Sequence, residues 1–301
     1  MTSSPAISVV IPAYNEPEPL RATLDALAAQ TLPKSLFEVV VVDDGSPTPL
    51  ADVCGAAQGK LNLQYLRVEN GGPGRARDIG AARSRGEYVV FTDHDCRPVP
   101  TWLAAYASAF QDEPRLLFGG RTINGLTANI FSEAHESIVE YVQRRFHRGT
   151  DQPFFPTNNL ALRRDAFLEM NGFGGHLRWA HEERDLADRW RKSGGGFRYV
   201  ESAVVVHCHE FNLASFLRHH YSFGVAVADF HDQRLARGDV PFRFAGIGFH
   251  TGLVMYPLRN HPLGKGIRIS AATVLSQAAY LSGFLRSLAA KRWRPARTAR
   301  S

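Results

Sequence analysis

Apolar residues in the first third of the chain fall into short runs separated by segments of helical spacing. Ile7 to Ile11 is a β-branched run stopped by Pro12, and Leu20 to Leu27 then repeats at helical intervals before the break at Thr31-Leu32-Pro33. Phe37 to Val42 is a second apolar run, ended by Asp43-Asp44-Gly45-Ser46. Leu63 to Val68 is a third, and Val89-Val90-Phe91 is a fourth, led into by a helix that carries Gly80 to Arg85. Alternation of this kind predicts a parallel sheet with helices on both faces, because parallel strands need crossovers that cover them. Ligands of such sheets bind beyond the carboxyl ends of the strands. Those ends carry Tyr14-Asn15-Glu16, Asp43-Asp44 and Asp93-His94-Asp95, so three polar clusters are expected along one edge.

Beyond residue 120 the pattern is less regular. It predicts a helix from Ile130 to Arg145, a loop at 149–157, a short strand at Leu160 to Leu162 and a helix starting near Asp165. A further helix runs from the acidic cluster at 182–185 to Lys192, and a Gly-rich turn at 194–196 precedes a strand, Val204 to Val206, that ends on His207. No internal repeat or low-complexity linker is present. A boundary falls near residue 212, before a helical tail in which Val274, Ala278, Leu281, Leu285 and Leu288 share one face.

Composition narrows the class. With 301 residues, 44% of them hydrophobic and 21% charged, the chain can bury a sizeable core in one large or two small domains. Cys54, Cys96 and Cys208 are odd in number and show no C-x-x-C spacing, which points away from a disulfide framework or structural zinc and toward a reducing compartment. The N-terminal stretch MTSSPAISVVIP shows no charged leader ahead of a long apolar run, so a cytoplasmic location is expected. The net charge of +6 is unevenly placed: ten of the 35 Lys and Arg follow Asp239, and no Asp or Glu does. The first 239 residues therefore carry 25 basic against 29 acidic groups. Apolar stretches at 244–258 and 267–290 interleave with that basicity, which fits the surface of an anionic membrane better than nucleic acid. Neither stretch reaches the roughly 18 strongly apolar residues of a spanning helix. A core-packed helix with a solvated basic tail is the plainer alternative.

The chemistry concentrates at Asp93-His94-Asp95. Carboxylates are hard ligands suited to Mg²⁺ or Mn²⁺, ions that proteins often hold with one or two carboxylates plus substrate phosphates. A nucleotide-dependent transferase is the first suspect, although an Asp-rich turn would explain the triplet too. Glycines at 71, 72 and 74 beside Arg75 and Arg77 suit close approach of backbone and guanidinium to phosphate oxygens, without the spacing of a P-loop. Glu182, Glu183 and Asp185 begin a helix, where the dipole favours negative charge and where a carboxylate can serve as a base. Helix capping and pairing with Arg184 or Arg189 is the structural alternative for these acids.

Taken in order, ISVVIPAYNEP at 7–17, VVVVDDGS at 39–46, NGGPGRARDIG at 70–80, FTDHD at 91–95, TNNLALRRDAF at 157–167 and HEERDL at 181–186 resemble the blocks of family 2 glycosyltransferases over residues 7 to 225. The resemblance implies a GT-A fold: a Rossmann-like, mostly parallel α/β sheet flanked by helices, here with a helical, basic C-terminal extension. Residues 1–212 would be the catalytic domain, with a nucleotide-sugar half at 1–120 and an acceptor half at 121–212. Residues 213–301 would be a helical region able to associate with a membrane. A nucleotide-diphosphate sugar as donor, Mn²⁺ or Mg²⁺, and inversion at the anomeric carbon are further implications. The acceptor would be a cell-envelope glycan or lipid-linked hydroxyl, reached at the cytoplasmic face of the membrane. No nucleic-acid partner is expected.

By the same resemblance Pro12, Tyr14 and Glu16 line the base and ribose pocket, Asp44 accepts a hydrogen bond from the base, and Arg75 and Arg77 meet the diphosphate. Asp95 is the direct metal ligand, Asp93 reaches the ribose or the ion, His94 is a bystander, and His207, with His209 nearby, matches the place of a late metal ligand. A strand-end histidine held only by hydrogen bonds is the alternative. HEERDL departs from the usual Glu-Asp-x-Asp-Leu and sets Glu183 where the catalytic Asp normally stands, with Asp185 and Glu182 as further candidates. Asp78 stands where the family usually has Asn and is expected to pair with Arg75 or Arg77. Asn158 and Asn159 would belong to the segment beneath the acceptor site, where Asn amides can bind sugar hydroxyls, and Trp179 would stack on an acceptor ring, with a partly buried core Trp as the alternative. Arg189-Trp190 is similar to a pair in processive synthases but lacks the neighbouring Gln, so no processivity is read. A sugar-phosphate nucleotidylyltransferase would need a Gly-rich loop after the first strand, which IPAYNEP lacks; a non-catalytic sugar-binding adaptor on the same fold is the other alternative.

Overall fold

The computed structural model describes residues 5–111, 116–147, 154–174, 177, 180–238 and 246–292. In chain order its elements are β1 (Ile7–Ala13), α1 (Pro17–Ala28), β2 (Phe37–Asp43), α2 (Ala51–Ala57), β3 (Leu63–Arg67), α3 (Pro73–Arg83), β4 (Tyr88–Phe91), β5 (Cys96–Pro98), α4 (Trp102–Phe110), β6 (Leu116–Asn124), α5 (Ile130–His147), β7 (Leu160–Arg163), α6 (Arg164–Glu169), α7 (Glu182–Lys192), β8 (Gly196–His207), α8 (Leu213–Ala236), α9 (Ile247–Asn260) and α10 (Leu263–Arg292). Among the described residues, eight strands make one sheet in the order β3-β2-β1-β4-β7-β6-β8-β5. β1 runs parallel to β2 and β4, as do β2 to β3 and β6 to β8. β7 is antiparallel to β4 and β6, and β5 to β8.

The β-branched runs take these central positions because helices cover both faces. Val9, Ile11, Val39 and Val41 enter a core with Leu20 and Leu24 of α1 and Trp102 and Tyr106 of α4. The alternate residues Val10, Val40 and Val42 enter a second core with Ala76 and Ala81 of α3, Phe167 of α6, and Leu186 and Trp190 of α7. Every position of β1 and β2 is buried, so neither strand shows polar alternation.

Four elements lie outside the sequence expectation: α2, β5, α4 and β6. α4 is largely apolar around its circumference and so shows no periodic stripe. β6 contains Gly119 and Gly120, which weaken a strand signal. A side chain at Gly119 would strike the Phe155 ring, and one at Gly120 would strike Asn159 and the Ala203 carbonyl. The glycines answer tertiary packing that no local pattern announces.

The chain divides into two compact units. One comprises Met1–Leu126, Val142–Arg178 and Glu182–His209 and holds the whole sheet; the other comprises Thr127–Tyr141, Trp179–His181 and Glu210–Ser301. The second unit is helical, with a core of Ala134, Phe211, Phe216, Ile269 and Ala272. Asn212 caps α8 by accepting the Ser215 N–H, while Ser215 Oγ takes the Asn212 N–H. Lys265 pairs with Glu133, and Lys291 with Asp229 and Asp232. Among the described residues no helix is long and apolar enough to cross a membrane. Of the basic residues late in the chain, Arg243, Arg294, Arg297 and Arg300 lie outside the described residues.

Candidate active site

The parallel strands β1, β2 and β4 bring their carboxyl ends side by side. Tyr14 emerges from β1 with 46% of its surface exposed. Asn15 takes a left-handed turn at φ 56° and donates its N–H to Ser46 Oγ at 2.9 Å, fastening the end of β1 to the turn after β2. Pro12 lies within β1, opposite Val42. Neighbouring Asp43 and Asp44 do different work, because successive side chains of a strand point to opposite faces. Asp43 is buried and accepts from Ser46 N–H (2.8 Å), Leu50 N–H (3.2 Å) and Tyr65 OH (2.6 Å). Burial opposes its charge, but these donors outweigh it and hold the carboxyl below its ordinary pKa. Asp44 accepts the Gly71 and Gly72 N–H groups, one on each oxygen, both at 2.8 Å. The glycine loop therefore wraps the Asp44 carboxylate, leaving one lone pair on each oxygen for a ligand.

The Asp93-His94-Asp95 turn is pinned from several directions. His94 touches the Pro12 carbonyl through Nδ1 at 3.3 Å and Glu16 through Nε2 at 3.4 Å. Its backbone carbonyl accepts Thr23 Oγ1 at 2.7 Å. Burial disfavours the imidazolium, yet Glu16, Asp95 and Asp93 together lift its pKa to about 9. His94 thus ties the first strand end to the acidic turn, a role the sequence did not suggest. Asp95 is 5% exposed. Its Oδ2 lies 2.7 Å from His209 Nδ1 and its Oδ1 lies 3.5 Å from His207 Nε2, and the Cys208 N–H donates to the Asp95 carbonyl. Burial works against the Asp95 charge, but His207, His209 and His94 hold its carboxyl well below the usual range. The β5–β8 pairing makes this possible by setting Cys96 opposite His207. His209, which the sequence sets only near the ligand position, approaches Asp95 more closely than His207 does. The V-V-V-H-C-H alternation was the available signal, since residues two apart on an extended chain share a side.

Arg77 does not reach into open solvent from its glycine loop. Its side chain is 4% exposed and donates from Nη2 to Asp93 at 2.5 Å and from Nη1 to Glu182 at 3.0 Å. The acidic start of α7 is thereby joined to the Asp93 turn. Asp185 is fully buried and accepts Arg189 Nε at 2.8 Å; the same guanidinium donates to the Met170 and Gly172 carbonyls, both at 2.6 Å. Of the three acids, Glu182 is committed to Arg77 and Asp185 to Arg189. Glu183 has only a loose contact with Arg184, at 3.9 Å. Burial, with help from the neighbouring Glu182 charge, pushes the Glu183 carboxyl up to about 7.

Other expected residues are placed differently. Asp78 accepts the Phe173 N–H at 2.8 Å, not a guanidinium, and burial raises it to about 6. Arg75 turns outward and donates to the Glu69 carbonyl at 2.7 Å. Asn159 is wholly buried; it accepts Trp102 Nε1 and Tyr106 OH and donates to the Arg121 and Ala203 carbonyls. Four bonds exhaust an amide, so Asn159 has no capacity left for a sugar hydroxyl. Asn158 accepts Thr122 Oγ1. Trp190 is buried with its indole N–H on the Gly196 carbonyl. Trp179 lies outside the described residues.

Comparison with known proteins gives this arrangement a context. Residues 8–170 match the model of the family described as Glycosyl transferase family 2. Glycosyltransferase AglE of Haloferax volcanii is 30% identical over 217 residues, covering 69% of this chain and 68% of that protein. The poly(ribitol-phosphate) β-N-acetylglucosaminyltransferase TarS of Staphylococcus aureus is 40% identical over 90 residues, which is 29% of this chain and 16% of that protein. Among solved structures, the Pyrobaculum calidifontis mannosyltransferase PcManGT, in complex with GDP-Man and Mn²⁺, superposes with a TM-score of 0.62 at 18% identity, covering 98% of this chain and 82% of that one. Residues 1–349 of TarS in complex with UDP-GlcNAc give 0.52 at 16% identity, covering 95% and 91%. The mixed sheet and its flanking helices are thus the GT-A arrangement, and the chain belongs to glycosyl transferase family 2 as a glycosyltransferase.

Proposed function

We propose that the chain transfers a sugar from a nucleoside-diphosphate donor, with inversion and dependence on a divalent cation, to a hydroxyl of a cell-envelope, polysaccharide or lipid-linked acceptor. The observation that carries this reading is the buried Asp95 carboxylate with His207 and His209, whose ligand atoms lie within 4.8 Å of one another. These residues fit a divalent ion: one hard oxygen and two imidazole nitrogens converge at the strand ends where donors bind in such sheets. The imidazoles favour Mn²⁺ over Mg²⁺, which keeps to oxygen ligands and water. When bound, the ion would neutralise the donor diphosphate as charge grows on the leaving group. In this reading Tyr14 lies against the nucleobase and Asp44 accepts a hydrogen bond from it, while Arg77 acts from behind by fixing Asp93.

Glu183 is the base in this reading. Its carboxylate takes the proton of the acceptor hydroxyl, that oxygen attacks the anomeric carbon, and the nucleoside diphosphate departs from the opposite face. A base with a pKa near the working pH is well matched to such a transfer. Work at the cytoplasmic face of a membrane, as a peripheral protein, is supported by the basicity of the second unit.

Calorimetric titration with a panel of nucleoside diphosphates tests the donor site. One nucleotide is expected to bind tightly with Mn²⁺, more weakly with Mg²⁺ and least without either; metal-independent binding of every nucleotide would refute the assignment. Glu183→Gln tests the base. Activity is expected to fall by about 10²–10⁴, and the acid limb of the wild-type profile, centred near pH 7, should be lost. The same variant should be more resistant to unfolding above pH 7. A carboxyl whose folded pKa is raised binds more protons folded than unfolded, so its contribution to stability diminishes as pH rises through that pKa. Unchanged activity in Glu183→Gln would remove it from the mechanism.

A further inference from the structure

Within the second unit, α10 packs one side against its neighbours and leaves a second, apolar side exposed. The side buried within the unit mixes small and hydroxyl residues with Ile269, Ala272 and Phe284. A side chain at Gly224 would strike the Tyr280 carbonyl and one at Gly283 the Tyr221 carbonyl, so the two backbones approach closely there. Thr273 and Ser276 are fully buried on the same helix, and their hydroxyls return to the backbone at Ile269 and Thr273. Further large apolar residues point the other way. Leu263, Ile267, Val274, Leu281, Leu285 and Leu288 recur at helical spacing and are between 41% and 71% exposed. A stripe over these 26 positions is ~38 Å long at the α-helical rise. An exposed apolar stripe of this length marks an interaction site.

Charge identifies what covers it. Arg268 and Arg286 are exposed and lie five turns apart, on the same flank of the stripe. Among the described residues no carboxylate pairs with either, or with the exposed Arg259 of α9, and neither α9 nor α10 contains an Asp or Glu. A second α10 laid on the stripe in either direction would therefore offer these arginines no carboxylate, because the helix contains none. An anionic lipid surface supplies acyl chains for the stripe and phosphates for the arginines, of which Arg286 also donates from Nη1 to Tyr221 OH at 2.8 Å. Among the described residues no helix is long and apolar enough to cross a membrane, and an exposed stripe along one side of a helix suits lying in the interface.

We infer that α10 lies in the interface of an anionic membrane, its leucine stripe at the acyl boundary and Arg268 and Arg286 against lipid phosphates. The inference rests on the membrane-peripheral reading above for its partner, and it names the surface and the lipid chemistry. The test is co-sedimentation of the full chain with vesicles of phosphatidylcholine alone or mixed with phosphatidylglycerol, using wild type, Leu281→Gln/Leu285→Gln and Arg268→Gln/Arg286→Gln. Nucleotide titration serves as a fold control, and particle mass is followed by light scattering. Wild type should sediment with the mixed vesicles, less as salt rises. Both double variants should lose about tenfold or more of that binding while retaining nucleotide binding.

Wild-type binding that survives the leucine substitutions would overturn the inference and place membrane contact on another surface. So would a wild-type dimer that the same substitutions dissociate, which would hand the stripe to a second copy. Loss of nucleotide binding in wild type refutes the donor site and leaves the vesicle result to be judged by itself.

Discussion

Asp95→Ala is expected to abolish metal-dependent nucleotide binding and to lower kcat/KM by about 10³ or more. Asp95 faces both His207 and His209, and removing it takes away both an anionic ligand and a group that orients the two imidazoles. A polarising ion contributes several kcal/mol to stabilising leaving-group charge, and every ~1.4 kcal/mol is tenfold in rate. Asp95→Asn should fail almost as badly, since it preserves shape and one acceptor but not the charge. His209→Ala should weaken Mn²⁺ dependence more than His207→Ala if the shorter approach to Asp95 reflects ligation. Titration of manganese against each variant, with circular dichroism to confirm folding, separates these outcomes. Metal-dependent nucleotide binding by Asp95→Ala at wild-type strength would place the ion elsewhere.

Arg77→Met should cost about 3–5 kcal/mol of folding stability, the range for breaking a buried ion pair by removing one partner. Two carboxylates share this guanidinium, so its loss leaves Asp93 and Glu182 facing each other without a counter-charge. The effect has a built-in check. Burial raises the Glu182 carboxyl despite Arg77, so lowering the pH lets Glu182 take up a proton, and the penalty should shrink as pH falls. Arg77→Met/Glu182→Gln should recover part of the loss in a double-mutant cycle. Denaturant unfolding at two pH values measures both. A variant as stable as wild type at neutral pH would show that the pair carries no net stabilisation.

Arg77 also shows where sequence reading stops. The Gly-rich loop with two arginines suggested phosphate contact for both, yet Arg75 faces solvent and Arg77 lies beneath the site. Along a helix a shift of two residues turns a side chain to another face, and which face is buried depends on α7, more than 100 residues later in the chain. Asn159 is a similar case. Its neighbours in sequence suggested a sugar ligand, whereas Trp102, Tyr106 and two distant carbonyls fill its hydrogen-bonding capacity.

The strand and helix alternation of the first 91 residues was legible without coordinates, because β-branched runs and helical stripes are local and a doubly covered sheet leaves them uninterrupted. From that alternation followed the edge on which Tyr14, Asp44 and Asp95 stand. The apolar face of α10 was equally plain in its spacing, but spacing is blind to whether such a face looks inward or outward. Only the close packing of α8 on α10 at Gly224 and Gly283 turned it outward. In the same way, β6 with its paired glycines, the meeting of His209 with Asp95, and the division of labour among Glu182, Glu183 and Asp185 were decided by partners far away in the chain. Local pattern records what a residue prefers; long-range packing determines which neighbour satisfies that preference and which side chains are left over for chemistry.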